Sequence, residues 1–179
     1  MSNDTLNQPL PQGGAPNLNP IAVRFGFIAG FIGVLTSLVL YFTNQEYNTL
    51  LSLLPILFVF IIIIIAQQQV VKANNNYKFQ FGILFNIGMK IAIIAALFTL
   101  FYYILYCNSL EPNFIDKMSE MTREKLSKKN MSEEQIEATL IISNKFTTSI
   151  TVPVFKFLFT LIIGLLGSLI GAAIFKNEK

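Results

Sequence analysis

At 179 residues, 53% of them hydrophobic and only 13% charged, with a mean hydropathy of +0.57, the chain is too apolar for a soluble domain, in which about 25% of residues carry charge. Its net charge of +3 is spread over scattered lysines, which excludes a dedicated nucleic-acid surface. With no histidine and the single Cys107, an internal disulfide is excluded and the commonest metal ligand and general base are missing.

Residues 1–20, MSNDTLNQPLPQGGAPNLNP, hold almost nothing that could pack and read as a disordered tail. They lack the basic start and apolar core of a cleavable signal peptide, so the first apolar stretch is expected to act as an uncleaved anchor. Four such stretches follow, at about 21–43, 48–66, 82–107 and 150–175, each near the ~20 residues a helix needs to cross ~30 Å of hydrocarbon. Barrel strands alternate apolar and polar residues, whereas FVFIIIIIA (58–66) is apolar on every face. The expected fold class is therefore all-α, an integral membrane protein with four transmembrane helices, 21–179 forming the membrane domain.

In the first span Gly26, Gly30, Gly33 and Ser37 share one helical face, which makes a groove. The connection NQEYN (44–48) is short, so spans one and two should be antiparallel neighbours. Span two has no glycine and suits the lipid-facing edge; it is expected to end in QQQVVKANNNYK (67–78), where amides meet interfacial water and head groups. Span three repeats the groove with Gly88, Ala92, Ala95 and Thr99, and span four with Gly164, Ser168 and Gly171, joined by Gly167 in a GxxxG. Burying apolar surface gains little between helices in lipid, so close backbone approach drives association and small residues permit it. Spans one, three and four should form the tight centre; intrachain packing is the preferred use of the grooves and dimerisation the other.

Two lysines fall inside the spans, Lys90 and Lys156. Lys90 lies about four residues, or ~6 Å, inside the hydrocarbon boundary expected near Asn86, a depth an extended lysine can bridge by snorkelling. Interfacial anchoring is preferred for both, against a conduction or binding role. No Asp or Glu lies in any span to partner them. Cys107 reads as a small apolar residue at a helix end rather than a palmitoylation or redox site.

The longest connection, 108–149, should form a helical hairpin outside the bilayer over about 112–146. Pro112 can open its first helix, and SEEQ (132–135) is a capping box opening the second, with Met131 set to staple onto Ile136. Glu124 and Lys128 stand four apart for an ion pair. The charged face reads first as a solvated surface and second as a docking surface.

Basic residues favour the cytoplasmic side of short loops. Arg24 in the first turn of span one puts the N-terminus inside, with Lys72, Lys78, Lys176 and Lys179, although Lys117, Arg123, Lys125, Lys128, Lys129 and Lys145 in the hairpin outnumber them. Catalysis lacks support: no histidine can activate the span hydroxyls, and the hairpin acids have no metal-ligand spacing. No catalytic, cofactor or metal residue is assigned, and no cofactor is expected.

The glycine-patterned RFGFIAGFIGVL (24–35), the amide-rich turn leading into KFQFGILFNIGMKI (78–91), the hairpin EKLSKKNMSEEQIEATL (124–140) and the closing GLLGSLIGAAIFKNEK (164–179) together resemble the bacterial family called domain of unknown function 4199. The resemblance covers about residues 21–179. It implies four helices and no known activity, and so lends no catalytic residue; with the charge reading above, the expected place is the bacterial inner (plasma) membrane with both termini cytoplasmic. The expected role is a non-enzymatic interaction or structural component acting through the hairpin, its partners being the bilayer and either a protein at the hairpin or a second copy of the chain. The alternative is a small permease or channel subunit.

Overall fold

The computed structural model describes residues 17–74 and 77–177. Of the expected N-terminal tail, 1–16 lie outside the described residues. From Asn19 the chain is already helical, because Pro20 in the first turn has its φ preset for a helix and lacks only a donor that would be idle there.

All regular structure among the described residues is helical. Helices α1 (Asn19–Phe42), α2 (Leu54–Ala73), α3 (Phe81–Leu105) and α6 (Thr151–Phe175) are long; α4 (Phe114–Ser127) and α5 (Glu133–Phe146) form the hairpin between α3 and α6. The four long helices are each long and apolar enough to cross a membrane. Their outer faces carry Val23, Phe27, Phe31 and Val39 on α1 and Leu158, Ile162, Leu166 and Ile170 on α6, all exposed. A continuous apolar surface of that kind needs lipid against it.

Two asparagines stop helices. Asn44 takes a left-handed φ of 54°, and the Asn44 and Gln45 N–H groups donate back to the Tyr41 and Leu40 carbonyls at 3.0 and 2.8 Å. Asn130, at φ 57°, repeats this after α4, with Asn130 and Met131 donating to Ser127 and Leu126. Both are Schellman-type endings, which satisfy orphan carbonyls while reversing the chain. The Ser132–Gln135 capping box then opens α5, with both reciprocal hydrogen bonds present.

Four-helix packing follows a square. Helix α3 packs most extensively on α6 and then on α1; α2 packs on α6 and α1, leaving α1 and α6 at opposite corners. This corrects two expectations. Span two is not a lipid-facing edge, since Val59, Ile62, Ile63, Ala66, Gln67 and Val70 bury a full face of it, and spans one, three and four do not meet as a trio. Span two also runs on to Ala73 rather than stopping near residue 66, and begins with a single 3-10 turn, Leu51–Leu53, ahead of Pro55.

On the hairpin, Arg123 bridges α4 to α5 through Glu133 at 2.9 Å and through Glu137. Glu124 accepts from Lys128 at 2.6 Å, and this pairing lowers the Glu124 pKa. A carboxyl lowered by folding stabilises above its unfolded value, about 4.3, and loses that contribution as pH falls through the lowered one. Amide protection in α4, measured by hydrogen exchange, should therefore drop between about pH 6 and pH 3, and by less in Glu124→Gln. Equal drops would deny the pair any role.

Candidate functional site

The bundle is built differently at its two ends. At the end away from the hairpin, Gln67 is 0% exposed, and its Nε2 donates to the carbonyls of Leu84 on α3 and Ser168 on α6, each at 3.0 Å. Two carbonyls facing one nitrogen fix which way the amide points, leaving Oε1 without a partner and directed at Gly171. Ser168 Oγ donates to the Gly164 carbonyl at 2.6 Å. The amide run was expected at the water interface; for Gln67 that expectation fails, because its side chain ties three helices together inside the bundle. Asn177, just past α6, secures the same end: its Oδ1 accepts from the Phe79 N–H at 2.5 Å and its N–H donates to the Phe79 carbonyl at 3.2 Å.

The packing glycines are all buried, but they serve different neighbours. Gly26 and Gly30 receive the large side chains Ile94 and Phe98 of α3; Gly164 lies against Ala92, Gly167 against Phe60, Gly171 against Gln67, and Gly88 against Ser168 and Gln67. Gly33 is the exception, with nothing nearer to a built-on Cβ than the Pro55 carbonyl at 3.8 Å. It borders a crevice of ≈ 20 Å³, lined also by Ser37, Thr99, Tyr103 and Lys156. That is room for about one water.

Toward the hairpin the crevice widens. Helix α3 ends in a π-helical turn, Tyr106–Leu110, that carries Tyr106 and Cys107 inward. Tyr106 stacks edge-on against Tyr41 of α1 (5.7 Å) and Phe114 of α4 (5.6 Å), and the Tyr41 hydroxyl donates to the Leu110 carbonyl at 3.0 Å. Phe114 is buried, so this aromatic cluster is the weld between hairpin and bundle. Glu111 behind it pairs with Lys117 at 2.6 Å.

Beside the weld lies a cavity of ≈ 610 Å³, within the ~300–1,000 Å³ typical of ligand pockets. Its walls come from the α1–α2 connection, α3, the hairpin and the start of α6, and they are mostly apolar: Met118, Met121, Phe146, Val152, Phe155 and Phe159 among them. Three polar atoms on that wall are buried and unpartnered: Glu46 Oε2, Tyr47 Oη and Tyr106 Oη. The two tyrosine hydroxyls influence one another without hydrogen-bonding geometry. Burial, the largest cause, raises the Tyr47 pKa, so the phenol stays protonated through neutral pH.

Lys156 sits at the neck between crevice and cavity, with Nζ 5.2 Å from the centre of the Tyr103 ring. It is part-buried and makes no ion pair among the described residues. Lys90 is elsewhere: it is exposed, near the opposite end, and donates to Asn19 Oδ1 at 2.5 Å. The structure therefore does not bring the two intramembrane lysines together. Sequence reasoning missed Gln67, Glu46 and the tyrosines. Five of the six tyrosines, at positions 41, 47, 102, 103 and 106, fall at the hairpin ends of spans one to three, a signal available from spacing alone.

Among the described residues no three of His, Cys, Asp and Glu are grouped to hold a metal. No curated protein and no solved structure matches this chain. A family model does match, over residues 24–177, described as "Protein of unknown function (DUF4199)". With that match across nearly its whole length and four helices of membrane-crossing length and apolarity, the chain belongs to the DUF4199 family and is a multi-pass membrane protein.

Proposed function

We propose that this protein is a non-catalytic interaction component of a bacterial inner membrane, with both termini cytoplasmic, the hairpin on the far side, and the hairpin-covered cavity as the place where it holds its ligand. The observation that carries this is the ≈ 610 Å³ apolar chamber with buried, unpartnered polar atoms on its wall. Buried polar groups without partners are costly in a structure that does nothing with them. The hairpin's part is to cover, which accounts for its aromatic weld to the bundle better than a free docking arm would.

Less supports a permease. A conduction path would have to pass the half of the bundle where Ala92 meets Gly164 and Gln67 bonds two helices, and Lys90 faces outward rather than along an axis.

The test is a photoreactive phenylalanine analogue at Val152, on the chamber wall and outside the hairpin, against the same probe at Phe31 on the outer face of α1. In native membranes the Val152 probe should give a discrete adduct of defined mass, lost when 112–146 is deleted from a chain that still inserts. Identical labelling from both sites, or an adduct indifferent to the deletion, refutes the reading.

A further inference from the structure

The chamber's polar groups are arranged by depth. Glu46 belongs to the α1–α2 connection at the bundle's end. Lys156 stands about one and a half turns inside α6, and Phe159 roughly another turn beyond it. The Glu46 end carries the carboxylate with its buried oxygen, the Tyr47 and Tyr106 hydroxyls and the rings of those tyrosines. Tyr106, one of the chamber's lining residues, is 3% exposed and so is shielded from bulk solvent. A carboxylate, phenol oxygens and aromatic faces together suit a cation that also donates hydrogen bonds. Lys156, without an ion pair, suits an anion, and Lys125 adds a second positive charge on the same wall. Below them the lining is phenylalanine.

Phe155 and Phe159 line the chamber and yet are 60% and 43% exposed, on the flank of α6 that faces lipid. The chamber is thus open sideways, toward the bilayer. Resting on the ligand-holding role above, we infer that its occupant is a zwitterionic phospholipid entering from the membrane, its ammonium against Glu46 and the tyrosines, its phosphate at Lys156 and its chain along Phe155 and Phe159. The order from the surface inward, acid, base, aromatic, matches the order of ammonium, phosphate and acyl chain in such a lipid. A purely anionic lipid would set its head group against the Glu46 carboxylate.

The chain contains no tryptophan, so Phe159→Trp supplies a single fluorescent reporter beside the proposed acyl chain. The full-length variant is reconstituted in phosphatidylglycerol vesicles, and chain-brominated phosphatidylethanolamine or chain-brominated phosphatidylglycerol is titrated in. The expected result is saturable quenching by the ethanolamine lipid at a low mole fraction, over the linear rise from bulk contact; the brominated glycerol lipid and a Phe31→Trp control should show only that rise. Glu46→Gln and Lys156→Gln should each move half-saturation at least tenfold, with unchanged circular dichroism and detergent elution showing that the fold is kept. If both brominated lipids saturate alike and Glu46→Gln changes nothing, the zwitterion assignment is overturned while ligand holding stands. If neither saturates, both are overturned.

Discussion

Gly171→Ala should lower thermal stability in detergent by roughly 5–10 °C, corresponding to about 2–3 kcal/mol for a chain of this size. The added Cβ would overlap Gln67 Oε1 and sit 2.9 Å from its Cδ, so the amide must leave its place. It cannot do so freely, since its Nε2 holds Leu84 and Ser168, and such bonds between membrane helices average about 0.6 kcal/mol each. The carbonyls it serves lie within helices, so their loss alone is modest; the steric conflict dominates. Gln67→Ala placed in the Gly171→Ala background should therefore recover stability, a coupling of about 1 kcal/mol or more in a double-mutant cycle. Additive losses, or a Gly171→Ala chain as stable as the parent, would mean that the clasp is not what closes this end.

Gly164→Ala strikes a harder surface. Its Cβ would overlap Ala92 Cβ and lie 3.3 Å from Ala92 Cα, where no rotamer change can relieve it and α3 and α6 must separate. A loss of about 1–3 kcal/mol is expected. Exchanging the pair, Ala92→Gly with Gly164→Ala, moves the methyl across the interface and leaves the helix propensities balanced, one glycine lost and one gained at about 1 kcal/mol apiece. Thermal unfolding of the exchange variant should return to within about 1 kcal/mol of the parent. If it stays as unstable as Gly164→Ala, the contact between these two positions is not the cause.

Much of this architecture is legible in the residues, and the rest is hidden for identifiable reasons. Span existence follows from apolar length, and SEEQ specifies its helix start because both partners of a capping box are local. Helix pairing is less accessible. A glycine stripe announces a concavity without naming what fills it: the stripe of α1 takes Ile94 and Phe98, while that of α6 takes Ala92, Phe60 and Gln67. Gln67 was misplaced because hydropathy scores an amide as an exit from the bilayer, although it continues the inward face of Val59, Ile63 and Val70. The chamber depends on how the hairpin folds back, through Tyr41, Tyr106 and Phe114 from three separate elements, and no local pattern carries that.

The closure of one half by Gln67 and the opening of the other beside Phe155 have a consequence for traffic across the membrane. A bundle clasped through three of its helices at one depth can splay only at the opposite depth, like tongs with a fixed pivot. Any exchange it makes is with a single leaflet, the one on the hairpin side, and the opposite leaflet is insulated from it. Breathing of the hairpin should therefore alter which molecules that leaflet lends to the protein without opening a leak for ions.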